Sequence, residues 1–141
     1  MREILTEIRG IHEDMRVTET TQILLTEFEM QQSVVSRGTE NVDNARARLL
    51  DIQRDQKLVR NELQLAEDHL SQASDADERK HIGEEIERHK GNIAALKIEE
   101  GGRTTTLQQM EQRLQTAQDG LEEIEKELNA IIARLHPSGK K

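Results

Sequence analysis

Cysteine, tryptophan and tyrosine are absent from this 141-residue chain; phenylalanine occurs once, at Phe28, and proline once, at Pro137. Without cysteine there is no disulfide and no thiolate metal site. Without aromatics there is nothing on which successive bases stack, and no basic cluster offers itself to phosphates. The net charge of −8 is shared by both halves. That acidity argues against nucleic acid and against an anionic membrane surface as partners. No run of 18 apolar residues occurs, and the N-terminal stretch MREILTEIRGIHED has no continuous apolar segment of the kind a secretory signal needs. The expectation is a cytoplasmic protein.

The material of a globular core is also scarce. Hydrophobic residues make up 33% of the chain and charged residues 34%, whereas a compact domain spends nearly half its residues on apolar types. Such a chain either stays unfolded or buries its apolar groups in a narrow seam, and the periodicity decides for the seam. From Ile82 the positions 82, 86, 89, 93, 96, 100, 103, 107, 110, 114, 117, 121, 124, 128, 131 and 135 alternate in steps of four and three. All but His89, Glu100 and Arg103 are apolar. A second series runs through Phe28, Gln31, Val35, Gly38, Val42, Ala45, Leu49, Ile52, Gln56, Val59, Leu63, Ala66, Leu70 and Ala73, apolar except at Gln31, Gly38 and Gln56. A 3.5-residue repeat is the signature of helices that supercoil around an a/d seam.

The two series are out of phase, and the break falls at Ser71-Gln72-Ala73-Ser74-Asp75-Ala76-Asp77. Ser74 followed by Asp77 resembles a capping box, with acids crowding a first helical turn. The fold predicted is all-α: a long antiparallel helical hairpin, a coiled coil of helix A (about 3–72) and helix B (about 76–135) with a turn near residues 72–77. Residues 1–141 read as a single elongated unit, with arms of about 90–105 Å at 1.5 Å per residue. His136-Pro137-Ser138-Gly139-Lys140-Lys141 ends helix B and is expected to be a frayed tail.

A short turn makes the helices antiparallel neighbours, so facing residues have numbers with a constant sum. A sum of 152 keeps a positions facing d positions. It sets Ala66 against Ile86, Ala45 against Leu107, Gly38 against Leu114 and Val35 against Ala117, small against large. A sum of 145 also keeps the phase and pairs Gln56 with His89. The pairing of sizes favours 152. In that register Glu100 and Arg103 lie near Arg46, Arg48 and Asp43, where opposite charges would lock the register. Gly101-Gly102 interrupts helix B in composition, yet the heptad phase crosses it intact. A continuous, soft helix is therefore expected there, a hinge at most.

Two groups of apolar residues lie outside the seams. Ile4, Ile8, Ile11 and Met15 form a stripe in a phase of their own, beyond the reach of helix B, because Leu135 would pair near Val17. Leu50, Leu58 and Leu65 on helix A, with Ala94, Ala95 and Ile98 on helix B, form a second patch. Burying both sets would assemble two hairpins into a dimeric bundle, so a homodimer is the partner expected first and another protein second. A third cluster, Ile23, Leu25, Phe28, Met30, Ile131 and Ile132, gathers at the open end and suggests a clamp or holding chaperone for an extended or amphipathic segment.

Catalytic and cofactor chemistry find no foothold. His81, Glu85 and His89 are spaced four residues apart on one face, a spacing that can hold zinc, but a stable site needs three or four convergent ligands and His89 belongs to the seam. No GxxxxGK[ST] loop occurs. Glu84-Glu85 and Glu122-Glu123 read as solvated faces in i,i+4 pairs with Arg88 and Lys126. No enzyme activity, no metal and no cofactor are expected.

Overall fold

The computed structural model describes residues 2–135. Two α-helices account for nearly all of them: α1, Arg2–Gln72, and α2, Ala76–Leu135, packed against each other as a helical hairpin. Both helices begin and end where the two phases of the sequence place them. The tail predicted at 136–141 lies outside the described residues.

The turn is three residues, Ala73, Ser74 and Asp75. Its geometry answers the problem that every helix end leaves carbonyls or amides unpaired. At the end of α1, the Ala73 amide donates to the carbonyls of His69 (3.0 Å) and Leu70 (3.3 Å), and the Ser71 hydroxyl donates to Asp68 O at 2.6 Å. Arg79, in the first turns of α2, reaches back and donates through Nη1 to Ala73 O (2.9 Å) and Leu70 O (3.3 Å). A cation is thus set on the negative end of the α1 dipole. Asp77 and Glu78 occupy the first turn of α2, where acids favour the positive end. The start of α2 differs from the capping box expected at Ser74. Asp75 supplies the first helical acceptor, its carbonyl taking the Arg79 amide at 3.0 Å. The cap position is therefore one residue later than expected, and Ser74 stays in the turn.

Packing divides the chain into two units, Met1–Glu40 with Gln112–Lys141, and Asn41–Glu111. In the first unit the seam residues Leu24, Ala117 and Leu128 are buried, and Val17, Thr21, Phe28, Gln31, Val35, Gly38, Leu114, Leu121, Ile124 and Ile131 are half-buried. The α1 seam therefore runs further toward the N-terminus than the series beginning at Phe28, through Leu24 and Thr21 to Val17. Gly38 approaches Leu114 so closely that a Cβ built on it would lie 3.1 Å from Leu114 Cδ1. This is the pairing of the 152 register; the 145 register would set Gly38 against Leu107. Gln31 crosses to α2 and donates through Nε2 to the carbonyl of Ala117 at 2.8 Å. Gly120 leaves the space for that amide, since a Cβ there would meet Gln31 Nε2 at 3.1 Å. Leu135, the last seam position, is exposed.

In the second unit the buried residues are Val42, Ile52, Ala66, Ile86 and Gln56. Between them, at the positions the series gives, lie half-buried Ala45, Leu49, Val59, Leu63, Leu70, Ile82, Ile93, Leu96, Leu107 and Met110. His89 faces the Glu62 side of α1, with Nδ1 3.6 Å from Glu62 Oε2, which again fits a sum near 152 and not 145. The helix runs through Gly101 and Gly102 without a break and without positive φ. Three hydroxyls mark the place: Thr104, Thr105 and Thr106 donate to the carbonyls of Glu100, Gly101 and Gly102, at 2.8, 3.1 and 3.0 Å. Such back-bonding bends helices slightly.

Candidate interaction surfaces

Apolar side chains left outside the seams form the surfaces with which this fold can work. In the first unit, Ile4, Ile8, Ile11 and Met15 all stand in solvent, between 45% and 61% exposed. Their spacing of four, three and four residues keeps them on one face of α1. Leu5, 56% exposed, sits beside them and was not part of the predicted stripe. Its adjacency to Ile4 at the stripe's edge is the signal that could have found it. Among the described residues α2 reaches Leu135, opposite Val17 in the 152 register, and α1 extends about four turns past that point.

At that end of the seam an open groove of about 360 Å³ lies between the helices, lined by Glu13, Asp14, Arg16, Val17, Thr20, Ile131, Arg134 and Leu135. Its rim carries two acids and two arginines, and its floor is aliphatic. The cluster expected around the open end is split by the packing. Phe28 and Ile131 turn into the seam and are half-buried, whereas Ile23, Leu25, Met30 and Ile132 are exposed.

In the second unit, Leu50, Leu58 and Leu65 are each more than half exposed, and Ile98 is the most exposed of the large apolar residues at 78%. Ala94 and Ala95 are exposed beside it on α2.

Polar groups in the second unit do less than the sequence suggested. Glu100 and Arg103 are half-buried, but the ion pair of Arg103 is with Glu99 on its own helix, at 3.8 Å. Arg46 instead reaches Glu111 across the hairpin at 3.0 Å. The charge layer expected from Glu100 and Arg103 with Arg46, Arg48 and Asp43 is thus replaced by two partly exposed pairs. The reason is reach: long side chains swing out of a two-helix seam to water. Pairs so exposed are worth under about 1 kcal/mol. Asn41, Asn44, Arg48 and Arg103 line a small polar groove of about 180 Å³ with Ala45, Thr106 and Met110.

Two polar groups are held inside. Gln56 is 5% exposed, and its Nε2 has no protein hydrogen-bond partner. His89 keeps only 14% of its side chain exposed, between Glu62 Oε2 at 3.6 Å and Glu85 Oε1 at 3.5 Å. Its Nδ1 is likewise without a hydrogen bond. The two carboxylates lie at opposite nitrogens of the ring, so they do not converge on one point. His81 is exposed, and the His81, Glu85, His89 series does not come together. No group of three or more metal-ligating side chains occurs among the described residues. Nor, among them, is any helix long and apolar enough to cross a membrane.

No protein-family model, curated protein or solved structure matches this chain.

Proposed function

We propose that the protein is a non-enzymatic structural or adaptor module, a coiled-coil hairpin that acts in the cytoplasm through self-association, as a homodimer, and through contact with other proteins. The observation that carries this reading is the bare stripe Ile4, Ile8, Ile11 and Met15, continued on α1 beyond the end of α2. Burying a large aliphatic side chain stabilises by about 1.5–3 kcal/mol. Four such residues on each of two chains can offset an association cost of roughly 4–15 kcal/mol. The steps of three and four in the buried positions support supercoiling of the two helices. The acidic balance and the lack of aromatics support protein rather than nucleic acid or membrane as the partner.

Sedimentation equilibrium on the full chain, and on a chain beginning at Val17, tests the reading. The full chain is expected to be a dimer at tens of micromolar, and the shortened chain a monomer of unchanged helicity. A monomeric full chain removes self-association. A dimer indifferent to the truncation moves the interface to Leu50, Leu58, Leu65 and Ile98.

One observation favours a second reading, a clamp for an extended or amphipathic segment: the groove at the open end, with Ile131 and Val17 below and Arg16 and Arg134 at its rim. A holding function predicts that the protein at stoichiometric excess suppresses aggregation of an unrelated unfolding protein. Failure to do so leaves the structural reading alone.

A further inference from the structure

Two polar atoms are buried in the second unit without a hydrogen bond: Gln56 Nε2, on a residue 5% exposed, and His89 Nδ1. One belongs to each helix, and both sit on the seam. In the observed register neither can help the other. A sum of 152 sets Gln56 against Leu96 and His89 against Leu63, so each polar group faces a leucine. The mismatch recurs two layers on, where Glu100 falls opposite Ile52 and Arg103 opposite Leu49.

A slide of α2 by one heptad toward the open end keeps seam positions on seam positions and lowers the sum to 145. Gln56 then meets His89. A carboxamide carries both a donor and an acceptor, and an imidazole nitrogen is one or the other, so two groups orphaned in the observed register become partners. Ile52 then faces Ile93, and Leu49 faces Leu96. Glu100 and Arg103 fall opposite the smaller Ala45 and Val42, past which long side chains reach water. In the first unit Leu24 exchanges one leucine, Leu128, for another, Leu121. Leu70 comes to face Asp75, which leaves four residues for the turn, within the lengths that join antiparallel helices. Both ends lose contacts. Leu70 and Ala66 give up Ile82 and Ile86, while Ile131 and Leu135 move from Thr21 and Val17 to Asp14 and Gly10. The observed register has the better-covered ends, the slid one the better-matched seam in the second unit.

We infer that the hairpin has a second register one heptad along, populated as a minor state beside the observed one and held by a Gln56–His89 pair. The slide carries α2 about 10.5 Å along α1. Because α2 is one helix from Ala76 to Leu135, the groove lined by Val17, Thr20 and Ile131 exists in the observed register alone. The inference does not depend on self-association.

The absence of cysteine makes the test clean. Three double variants of the full chain share Ile86→Cys. Ala66→Cys reports the observed register and Val59→Cys the slid one. Ile52→Cys, a further heptad away, reports random opening. In the observed register Val59 stands a heptad, about 10.5 Å, from the layer of Ile86, beyond the reach of a disulfide. Each variant is equilibrated in a glutathione redox buffer, and the fraction bonded within one chain is read on non-reducing gels. The Ala66 pair is expected to bond almost fully, and the Val59 pair less fully but well above the Ile52 pair. Adding Gln56→Leu is expected to lower the Val59 bond about tenfold and to leave the Ala66 bond unchanged. A Val59 pair that bonds no more than the Ile52 pair, or that ignores Gln56→Leu, overturns the inference. So does an Ala66 pair that fails to bond, since the slide would then start from the wrong register.

Discussion

Helix α1 is one continuous element with two fates. From Val17 to Gln72 every third or fourth side chain is covered by α2, and Val42 retains only 2% of its surface. From Arg2 to Arg16 the same helix, although it carries Ile4, Ile8, Ile11 and Met15 on one face, has every side chain exposed. The two stretches differ in phase. Extended backward, the covered seam passes through Asp14, Gly10, Glu7 and Glu3, while the apolar residues sit beside that line, at 4, 8, 11 and 15. The apolar face rotates within an unbroken helix at the point where the buried seam ends. Amphipathicity read over the whole helix would average the two faces and lose both.

The sharpest way to break the comparison is to place the same charge on each face. Leu24 is 7% exposed and Ile11 59%, thirteen residues apart on one helix. Leu24→Asp buries a carboxylate with no partner and is expected to cost about 3 kcal/mol or more of hairpin stability. Ile11→Asp is expected to leave the unfolding of the dilute monomer within about 0.5 kcal/mol of the parent while abolishing the dimer. Urea unfolding at low concentration reads the first quantity. Equal losses for both variants would show that the first turns of α1 have a partner within the chain.

Smaller changes sharpen the account of the covered part. Gly38→Leu forces a side chain into the space Leu114 already fills, and overpacking of this kind costs about 1–3 kcal/mol; a stabilised variant would mean that the two helices separate there easily. Gln56→Leu replaces a buried amide whose Nε2 has no protein partner and is expected to gain about 1 kcal/mol. A loss would reveal that Gln56 holds the register. Gly102→Ala meets nothing within 4 Å and should gain about 0.8–1 kcal/mol from helix propensity alone. No gain in thermal melting would show that the glycine pair is bent away from helical geometry in solution.

Most of this fold is written in the spacing of its apolar residues. The positions from Phe28 to Ala73 and from Ile82 to Ile131 are those the structure covers, because in a two-helix seam burial depends on little but angular position. The register was narrowed but not decided by spacing, since both phase-preserving alignments set Gly38 against a leucine, Leu114 or Leu107; the close approach of Gly38 to Leu114 decides for the first. What escaped the sequence has local causes. The seam's continuation to Val17 passes through Thr21, whose hydroxyl is satisfied by the Val17 carbonyl at 2.7 Å, so a polar residue sits at a half-buried position at little cost and hides the series. The start of α2 at Ala76 is where it was expected, but the residue that caps it is Asp75 rather than Ser74, because both are competent caps and spacing does not choose between neighbours. The ion pairs of Arg103 and Arg46 depended on side-chain reach, which spacing does not encode. Of the surfaces, the stripe at 4–15 was legible because its phase fails to join the seam. The exposure of Leu50, Leu58, Leu65 and Ile98 follows from the same wheel, but nothing in their spacing distinguishes a docking face from scattered surface leucines.

The central claim is that residues 2–16 and 17–72 of α1 have different partners, one in a second chain and one in the same chain. Amide hydrogen exchange along α1, at a concentration well below dimerisation and at one well above, tests it most directly. The account predicts that protection across the seam from Leu24 to Leu70 is the same at both concentrations, whereas Ile4 to Met15 exchange freely when dilute and become protected when concentrated. Protection of Ile4 to Met15 that is already present in the dilute monomer, or that never appears, would contradict it.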